Sequence, residues 1–309
     1  MNQPFSDRPL RLGTRASPLA MRQAEMARDA LLAAHGWSAD AIELVPMVAS
    51  GDKIQDRALA EVGGKALWTR ELDRALADGD IDLSVHSMKD VETIRPTRFG
   101  IAAMLPRADV RDRLVGASSI DALPHGATIG TSSPRRSAQL LRLRPDLKLT
   151  LLRGNVGTRL GKIAAGDADA TLLAAAGLDR LGMHDTGHAI PLDIMLPAPS
   201  QGAVGLEVRA DDAHVRALVC AVDDQATRRC VEAERALLAA LGGDCRSPIA
   251  ALATIEADGA MRLRGEIYAM DGSDVVRTDA LISDALTPAV LAHDMLDRAA
   301  PAVRRLFAG

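Results

Sequence analysis

Short apolar runs broken by glycine and proline fill the first two thirds of the chain, and two of these passages repeat each other. Leu10-Arg11-Leu12 runs into Gly13-Thr14-Arg15-Ala16-Ser17-Pro18 and then an alanine-rich helical stretch ending near His35-Gly36. Ala127-Thr128-Ile129 runs into Gly130-Thr131-Ser132-Ser133-Pro134 and a helical stretch to Leu143. Each predicts a short strand, a Gly-Thr turn, and a helix capped by serine with proline in its first turn. A second echo follows in the same order. Gly79-Asp80-Ile81-Asp82 precedes Leu83-Ser84-Val85, and Gly166-Asp167-Ala168-Asp169 precedes Ala170-Thr171-Leu172-Leu173. Between them the pattern predicts strands over 42–48 and 147–152 and helices over 69–77 and 156–165.

Leu196-Pro197-Ala198-Pro199-Ser200 interrupts the chain as a hinge or linker, and a strand over 203–208 is expected to return to the first unit. The remainder differs in kind. Helices are expected over 211–221, 224–241 and 288–306, with strands over 249–254, 261–268 and 275–281. The fold class is therefore α/β, with two similar α/β units and a small α+β domain at the end. The expected boundaries are 1–105 with 201–222 for the first domain, 106–200 for the second and 223–309 for the third.

Composition narrows the function. The 309 residues are 48% hydrophobic and 25% charged, which suits a folded core in two to three domains. Aromatic residues make up only 2% and the net charge is -4. Both count against a nucleic-acid surface, which needs stacking rings and a basic footprint. No apolar run approaches the ~20 residues of a membrane span. The residues after Met1 lack an apolar signal core, so a cytoplasmic protein is expected. Cys220, Cys230 and Cys245 are odd in number and widely spaced, which fits neither a disulfide framework nor a zinc site, so no metal is expected.

Against this acidic background, arginines crowd two glycine- and serine-rich stretches. Arg135 and Arg136 follow Thr131-Ser132-Ser133-Pro134, and Arg153 and Arg159 bracket Gly154-Asn155-Val156-Gly157-Thr158. Arginine pairs bidentately with carboxylate or phosphate, and helix N-termini attract anions. A local site for a small polyanion follows, with Arg15 and Ser17 at the first Ser-Pro helix start. Plain helix capping is the alternative for Ser17. Val85-His86-Ser87-Met88-Lys89-Asp90 ends a buried strand, where open α/β sheets bind ligands. Residue types alone leave Lys89 and Asp90 either a surface pair or a carboxylate facing a cleft. His86 reads as a structural imidazole. Cys245, in Gly242-Gly243-Asp244-Cys245-Arg246-Ser247-Pro248, reads as a loop thiol beside opposing charges. Cys220 and Cys230 fall in apolar helical patterns and read as buried.

The ordered set of motifs resembles the porphobilinogen deaminase (hydroxymethylbilane synthase) family. The set comprises Leu12-Gly13-Thr14-Arg15 with Ser17-Pro18-Leu19-Ala20, Val62-Gly63-Gly64-Lys65, His86 to Asp90, Gly130 to Arg136, Leu152 to Leu160, Ala175 to Gly182, and Gln201-Gly202-Ala203-Val204-Gly205. The resemblance implies two domains like the lobes of periplasmic binding proteins with a cleft between them, and a third carrying a cofactor cysteine. It implies that Cys245 holds a dipyrromethane through a thioether. It implies that four porphobilinogen molecules condense with loss of ammonia, and that a linear tetrapyrrole, hydroxymethylbilane, is released for the next enzyme of the pathway. Asp90 matches the catalytic aspartate. Arg15, Arg135, Arg136, Arg153, Arg159 and Arg180 match carboxylate-binding arginines, and Ser17, Lys89, Thr131, Ser132 and Ser133 the supporting polar positions. A monomer with no nucleic-acid or membrane partner is expected.

Three positions depart from common members. Trp68 stands where phenylalanine is frequent, either as packing or as an aromatic lid over the cleft. Glu61 replaces a frequent lysine, and Asp244 a frequent glycine. A solute-binding or effector-sensing protein on the same bilobal fold is the competing expectation. It accounts for the duplicated units and the anion site, and leaves the glycine-flanked Cys245 unexplained.

Overall fold

The computed structural model describes residues 4–5, 7–48 and 69–307. Along the chain the strands are β1 (Leu10–Arg15), β2 (Ile42–Met47), β3 (Leu83–Ser87), β4 (Phe99–Met104), β5 (Asp112–Val115), β6 (Thr128–Gly130), β7 (Lys148–Thr150), β8 (Ala170–Ala174), β9 (His188–Ala189), β10 (Val204–Arg209), β11 (Ile249–Ile255), β12 (Met261–Tyr268) and β13 (Val275–Leu281). The helices used below are α1 (Pro18–His35), α2 (Arg70–Asp78), α3 (Pro134–Leu143), α4 (Val156–Ala164), α5 (Ala175–Arg180), α6 (Ala213–Val219), α7 (Gln225–Ala240), α8 (Pro288–Arg298) and α9 (Pro301–Arg304).

These elements form two compact units. Of the described residues, the first gathers those up to Ala108 and Gly202–Arg228; the second gathers Asp109–Gln201 and those from Arg229 onward. The first unit holds a five-stranded sheet in the order β2-β1-β3-β10-β4. β1 runs parallel to β2 and β3, and β10 runs antiparallel to β3 and β4. The strand expected to return after the Pro-rich linker is thus β10, and it does pair in the first sheet. The second unit holds a sheet in the order β7-β6-β8-β5-β9 with the same pattern: parallel across β7, β6 and β8, then antiparallel at β5.

The repeated Gly-Asp-x-Asp motif explains why both sheets close in the same way. Asp82 Oδ2 accepts the backbone N–H of Arg11 at 2.8 Å, and Asp82 N donates back to Arg11 O at 2.9 Å. Asp169 Oδ2 accepts the N–H of Thr128 at 2.6 Å, and Asp169 N donates to Thr128 O at 2.9 Å. The glycine opening each motif sits at positive φ, 75° for Gly79 and 83° for Gly166, as a helix-ending turn requires. Each motif stops a helix, turns, and pins the next strand to the strand before the Gly-Thr turn. The sequence echoes are therefore one structural unit used twice.

Each sheet is buried by its helices. Leu10, Leu12, Leu83, Val85 and Leu206 pack with Ala24, Ala27 and Leu31 of α1. Leu72 and Leu76 of α2 pack with Ile81 and Phe99. Gly13 sits closely against this core, where a Cβ would stand 2.3 Å from Cδ1 of the buried Ile81. In the second unit Leu114, Ile129, Ala170 and Leu172 meet Leu140 of α3. Each such leucine contributes about 2 kcal/mol of burial.

The three-stranded antiparallel sheet β11-β12-β13 packs one face on Leu237 and Leu241 of the α7 region and on Leu291 and Met295 of α8. Its Ala250 and Leu252 meet Leu196. The single helix expected over 288–306 is broken. Ala299 is extended at ψ 136°, and Pro301 opens α9. A proline cannot donate to a continuing helix but suits a first turn. Strands β4, β5 and β9 are additions to the elements expected from sequence.

Candidate active site

In the first unit, the C-terminal ends of β1 and β3 shape a small pocket lined by Arg15, Gln23, Thr69, His86, Ser87 and Asp90, among others. Asp90 ends a single 3-10 turn, Met88–Asp90, directly after β3. That turn is set from beneath. Met88 is fully buried and its N–H donates to Ala203 O at 3.1 Å. Gly205 of β10 leaves the room: a Cβ there would lie 2.2 Å from Met88 Sδ. Ser87 is fixed by Gln23, whose Nε2 donates to Ser87 Oγ at 2.8 Å. Asp90, Lys89, Arg15 and Ser17 are all partly exposed. Ser17 caps α1, accepting the N–H of Ala20 at 3.4 Å. The capping alternative for Ser17 is thus realised, while Arg15 and Asp90 share one pocket.

Behind this pocket lies a cluster of charges. His86 Nε2 donates to Glu207 Oε2 at 3.2 Å, and Glu207 is entirely buried. Arg95 reaches the same carboxylate with Nε at 2.9 Å and Nη2 at 2.7 Å. It also reaches Asp73 Oδ1 at 2.6 Å and Glu92 Oε2 at 2.6 Å. Burial alone would push the Glu207 carboxyl up. Hydrogen bonding and charge from His86, then from Arg95, outweigh it and hold the group at about 2. His86 is thus a satisfied structural imidazole.

In the second unit, the Ser-Pro helix start behaves differently. Ser133 caps α3, accepting the N–H of Arg136 at 3.4 Å, and Thr131 Oγ1 accepts the N–H of Ser133 at 3.2 Å. Ser132 beside them is partly exposed. Arg135 and Arg136 are buried, at 3% and 6% exposure, and both turn toward Asp112 of β5. Arg135 Nη2 donates to Asp112 Oδ2 at 2.8 Å and Arg136 Nη2 to Asp112 Oδ1 at 2.7 Å. Gln201 is a third residue on this carboxylate, its Nε2 donating to Asp112 Oδ1 at 2.9 Å. Burial would raise the Asp112 carboxyl, but Arg135 and then Arg136 hold it well below the usual carboxylate range. The arginine pair read from sequence as a ligand site therefore already holds an internal carboxylate. Asp112 sits in Asp109-Val110-Arg111-Asp112, and nothing in that stretch of sequence singles it out as their partner.

Arg153 is buried, whereas Arg159 and Arg180 are partly exposed. Gly154 has φ 116°, and a Cβ there would stand 2.6 Å from Thr158 Cγ2. Asn155 caps α4 by accepting the N–H of Thr158 at 2.9 Å, and Arg159 Nε donates to Gly154 O at 2.9 Å. Arg180 ends α5, where burial lowers its pKa from the ordinary value.

Cys245 lies exposed on the loop between α7 and β11. Gly243 closes that loop on the core, since a Cβ would meet Ile249 Cδ1 at 2.3 Å. Arg246 does not reach over the thiol unopposed: its Nε and Nη2 donate to Asp244 Oδ2 at 2.9 and 2.6 Å. Cys230 is buried as expected, but Cys220, which opens the 3-10 turn Cys220–Val222 after α6, is exposed. Trp68, Glu61 and Gly63-Gly64-Lys65 lie outside the described residues. Among the described residues no cluster of histidine, cysteine and carboxylates could hold a metal, and no helix is long and apolar enough to cross a membrane.

Comparison with known proteins gives these groups a context. Residues 10–217 match the family model for the porphobilinogen deaminase, dipyromethane cofactor binding domain, and residues 228–295 match that for the porphobilinogen deaminase C-terminal domain. The porphobilinogen deaminase of Sphingopyxis alaskensis is 63% identical over 307 residues, covering 98% of both chains. That of Paracoccus denitrificans is 49% identical over 297 residues, covering 95% of this chain and 94% of its own. Among solved structures, a TRAP periplasmic solute binding protein from Desulfovibrio salexigens aligns at TM-score 0.41 and 10% identity, over 71% of this chain and 73% of its own. The two family models together span both units of the fold, and the chain belongs to the porphobilinogen deaminase family, the hydroxymethylbilane synthases of tetrapyrrole biosynthesis.

Proposed function

We propose that this chain carries out the family's condensation of porphobilinogen with Asp90 as the group that handles charge and protons. The observation that carries this is the pocket in which Asp90 and Arg15 meet at the ends of β3 and β1. Porphobilinogen bears two carboxylates and an aminomethyl group on a pyrrole. Arg15 supplies a cation for a carboxylate, with Ser17 and Lys89 as supporting donors. The carboxylate of Asp90 faces the part of the ring that becomes cationic when ammonia leaves. It stabilises that charge and assists removal of the proton displaced in bond formation.

A dipyrromethane needs an accessible thiolate for a thioether and cations for its carboxylates, and the chain offers both. Cys245 is an exposed thiol on a loop closed at Gly243. When bound, the cofactor supplies the free pyrrole carbon to which new rings are joined. Cys245 would hold it, and Arg153, Arg159 and Arg180 would take carboxylates of the lengthening chain. Arg135 and Arg136 face one buried Asp112, so this trio keeps one net positive charge at the N-terminus of α3. Thr131, Ser132 and Ser133 add hydroxyls there. The three domains expected from sequence remain part of this reading, as does a monomer acting in the cytoplasm. A reducing compartment suits an exposed thiol at Cys220.

Incubation with porphobilinogen tests the proposal. The parent protein releases ammonia and a uroporphyrin-forming product, and Asp90→Asn loses at least ~100-fold in turnover while keeping its fold. Turnover of Asp90→Asn near the parent value would remove Asp90 from this role.

A further inference from the structure

The charge cluster behind the Asp90 pocket contains one arginine facing three carboxylates. Arg95 has a side chain only 10% exposed, and it contacts Asp73 of α2, Glu92, and Glu207 of β10 at 2.6, 2.6 and 2.7 Å. The corresponding exposures of the carboxylates are 11%, 20% and 0%. Arg95 Nη1 also reaches Thr69 Oγ1 at 3.4 Å, and Thr69 Oγ1 donates to Glu92 Oε1 at 2.9 Å. Thr69 and His86, which belong to this cluster, line the same pocket as Asp90. His86 is the other titratable group facing Glu207.

The chain path gives this arrangement its consequence. Only Val91, itself buried, separates Asp90 from Glu92. A guanidinium that grips Glu92 on one side and two sheet- and helix-borne carboxylates on the other ties down the backbone that carries Asp90. The planar fork of arginine can serve several carboxylates at once, which an ammonium cannot do with the same geometry. Without it, three carboxylates would crowd one partly buried site, of which Glu92 is the most exposed.

We propose that Arg95 is a positioning residue for Asp90, a clamp that holds the Met88–Asp90 turn in register with the sheet. The proposal rests on reading Asp90 as the group that handles charge and protons.

The test compares Arg95→Lys and Arg95→Met with the parent and with Asp90→Asn, using the cofactor-loaded protein. Three quantities are read: kcat and KM for porphobilinogen, and hydrogen exchange of individual backbone amides. For Arg95→Lys we expect kcat to fall about 10-fold with KM within about threefold, as loss of alignment without loss of binding requires. Amides of residues 88–94 should exchange at least ~10-fold faster while those of α1 keep the parent rate, marking a local opening. Arg95→Met should show the same pattern more strongly. Should that variant fail to fold, Arg95→Lys decides alone. The proposal is overturned if residues 88–94 exchange at the parent rate, if exchange rises equally throughout the first unit, or if kcat is unchanged despite local opening. Parent-like turnover in Asp90→Asn would instead defeat the reading of Asp90, and the exchange data would still judge the clamp.

Discussion

Asp112 Oδ1 lies 2.7 Å from Arg136 Nη2 with both side chains almost fully removed from solvent. Arg135 closes on the other oxygen, and Gln201, at the end of the linker that leaves the second sheet, donates to Oδ1 as well. Gln201 also donates to Val110 O at 2.8 Å. Removing one partner of such a site leaves buried charge without compensation. Asp112→Ala should therefore destabilise the protein by about 3–5 kcal/mol, measured by urea unfolding. A loss under ~1 kcal/mol would show that Arg135 and Arg136 find other partners at little cost.

Gly205 should tolerate no side chain without a change at the active turn. In Gly205→Ala the new methyl meets Met88 Sδ, a flexible group in a fully buried position. The expected cost is about 1–3 kcal/mol together with reduced turnover. Combining it with Met88→Ala should recover part of the stability, because the added and deleted volumes offset. Independent, additive effects of the two substitutions would contradict this contact.

Gly13, Gly154 and Gly205 fall within the motifs that carry the family resemblance, and the space around each explains them. The repeated Gly-Asp-x-Asp motif predicted duplication, and the matching bonds of Asp82 and Asp169 supply its cause. Partners distant in sequence were not legible. Asp112 is 24 residues from Arg136, and Glu207 is 112 from Arg95. Periodicity finds faces of helices and strands, and it carries no information about which charge meets which across a fold. For the same reason the pairing of Arg135 and Arg136 with Asp112 has no trace in the sequence. The break at Pro301 was legible in principle, since proline cannot continue a helix, but the apolar periodicity on both sides masked it.

Acid should weaken the first unit through Glu207. Its folded pKa of about 2 lies below the ordinary glutamate value near ~4.3, so the unfolded chain binds the proton more readily. The ionised group therefore stabilises the fold fully above about pH 4.5, and that contribution fades as pH falls toward 2. A shift of this size corresponds to about 3 kcal/mol. Unfolding free energies of the parent and Glu207→Gln should differ most at neutral pH and converge toward pH 2. A difference that stays constant across that range would show that the Glu207 carboxylate is not held by His86 and Arg95.

The most direct measurement of the account is the intact mass of the protein produced in cells that make porphobilinogen. The parent should carry an adduct equal to two condensed porphobilinogen units, and peptide mapping should place it on Cys245. Cys245→Ser should have the bare mass of its sequence, while Cys220→Ser, which removes another exposed thiol, keeps the adduct. An identical adduct on Cys245→Ser, or a parent protein that stays bare after incubation with porphobilinogen, would contradict the assignment of Cys245 as the tether.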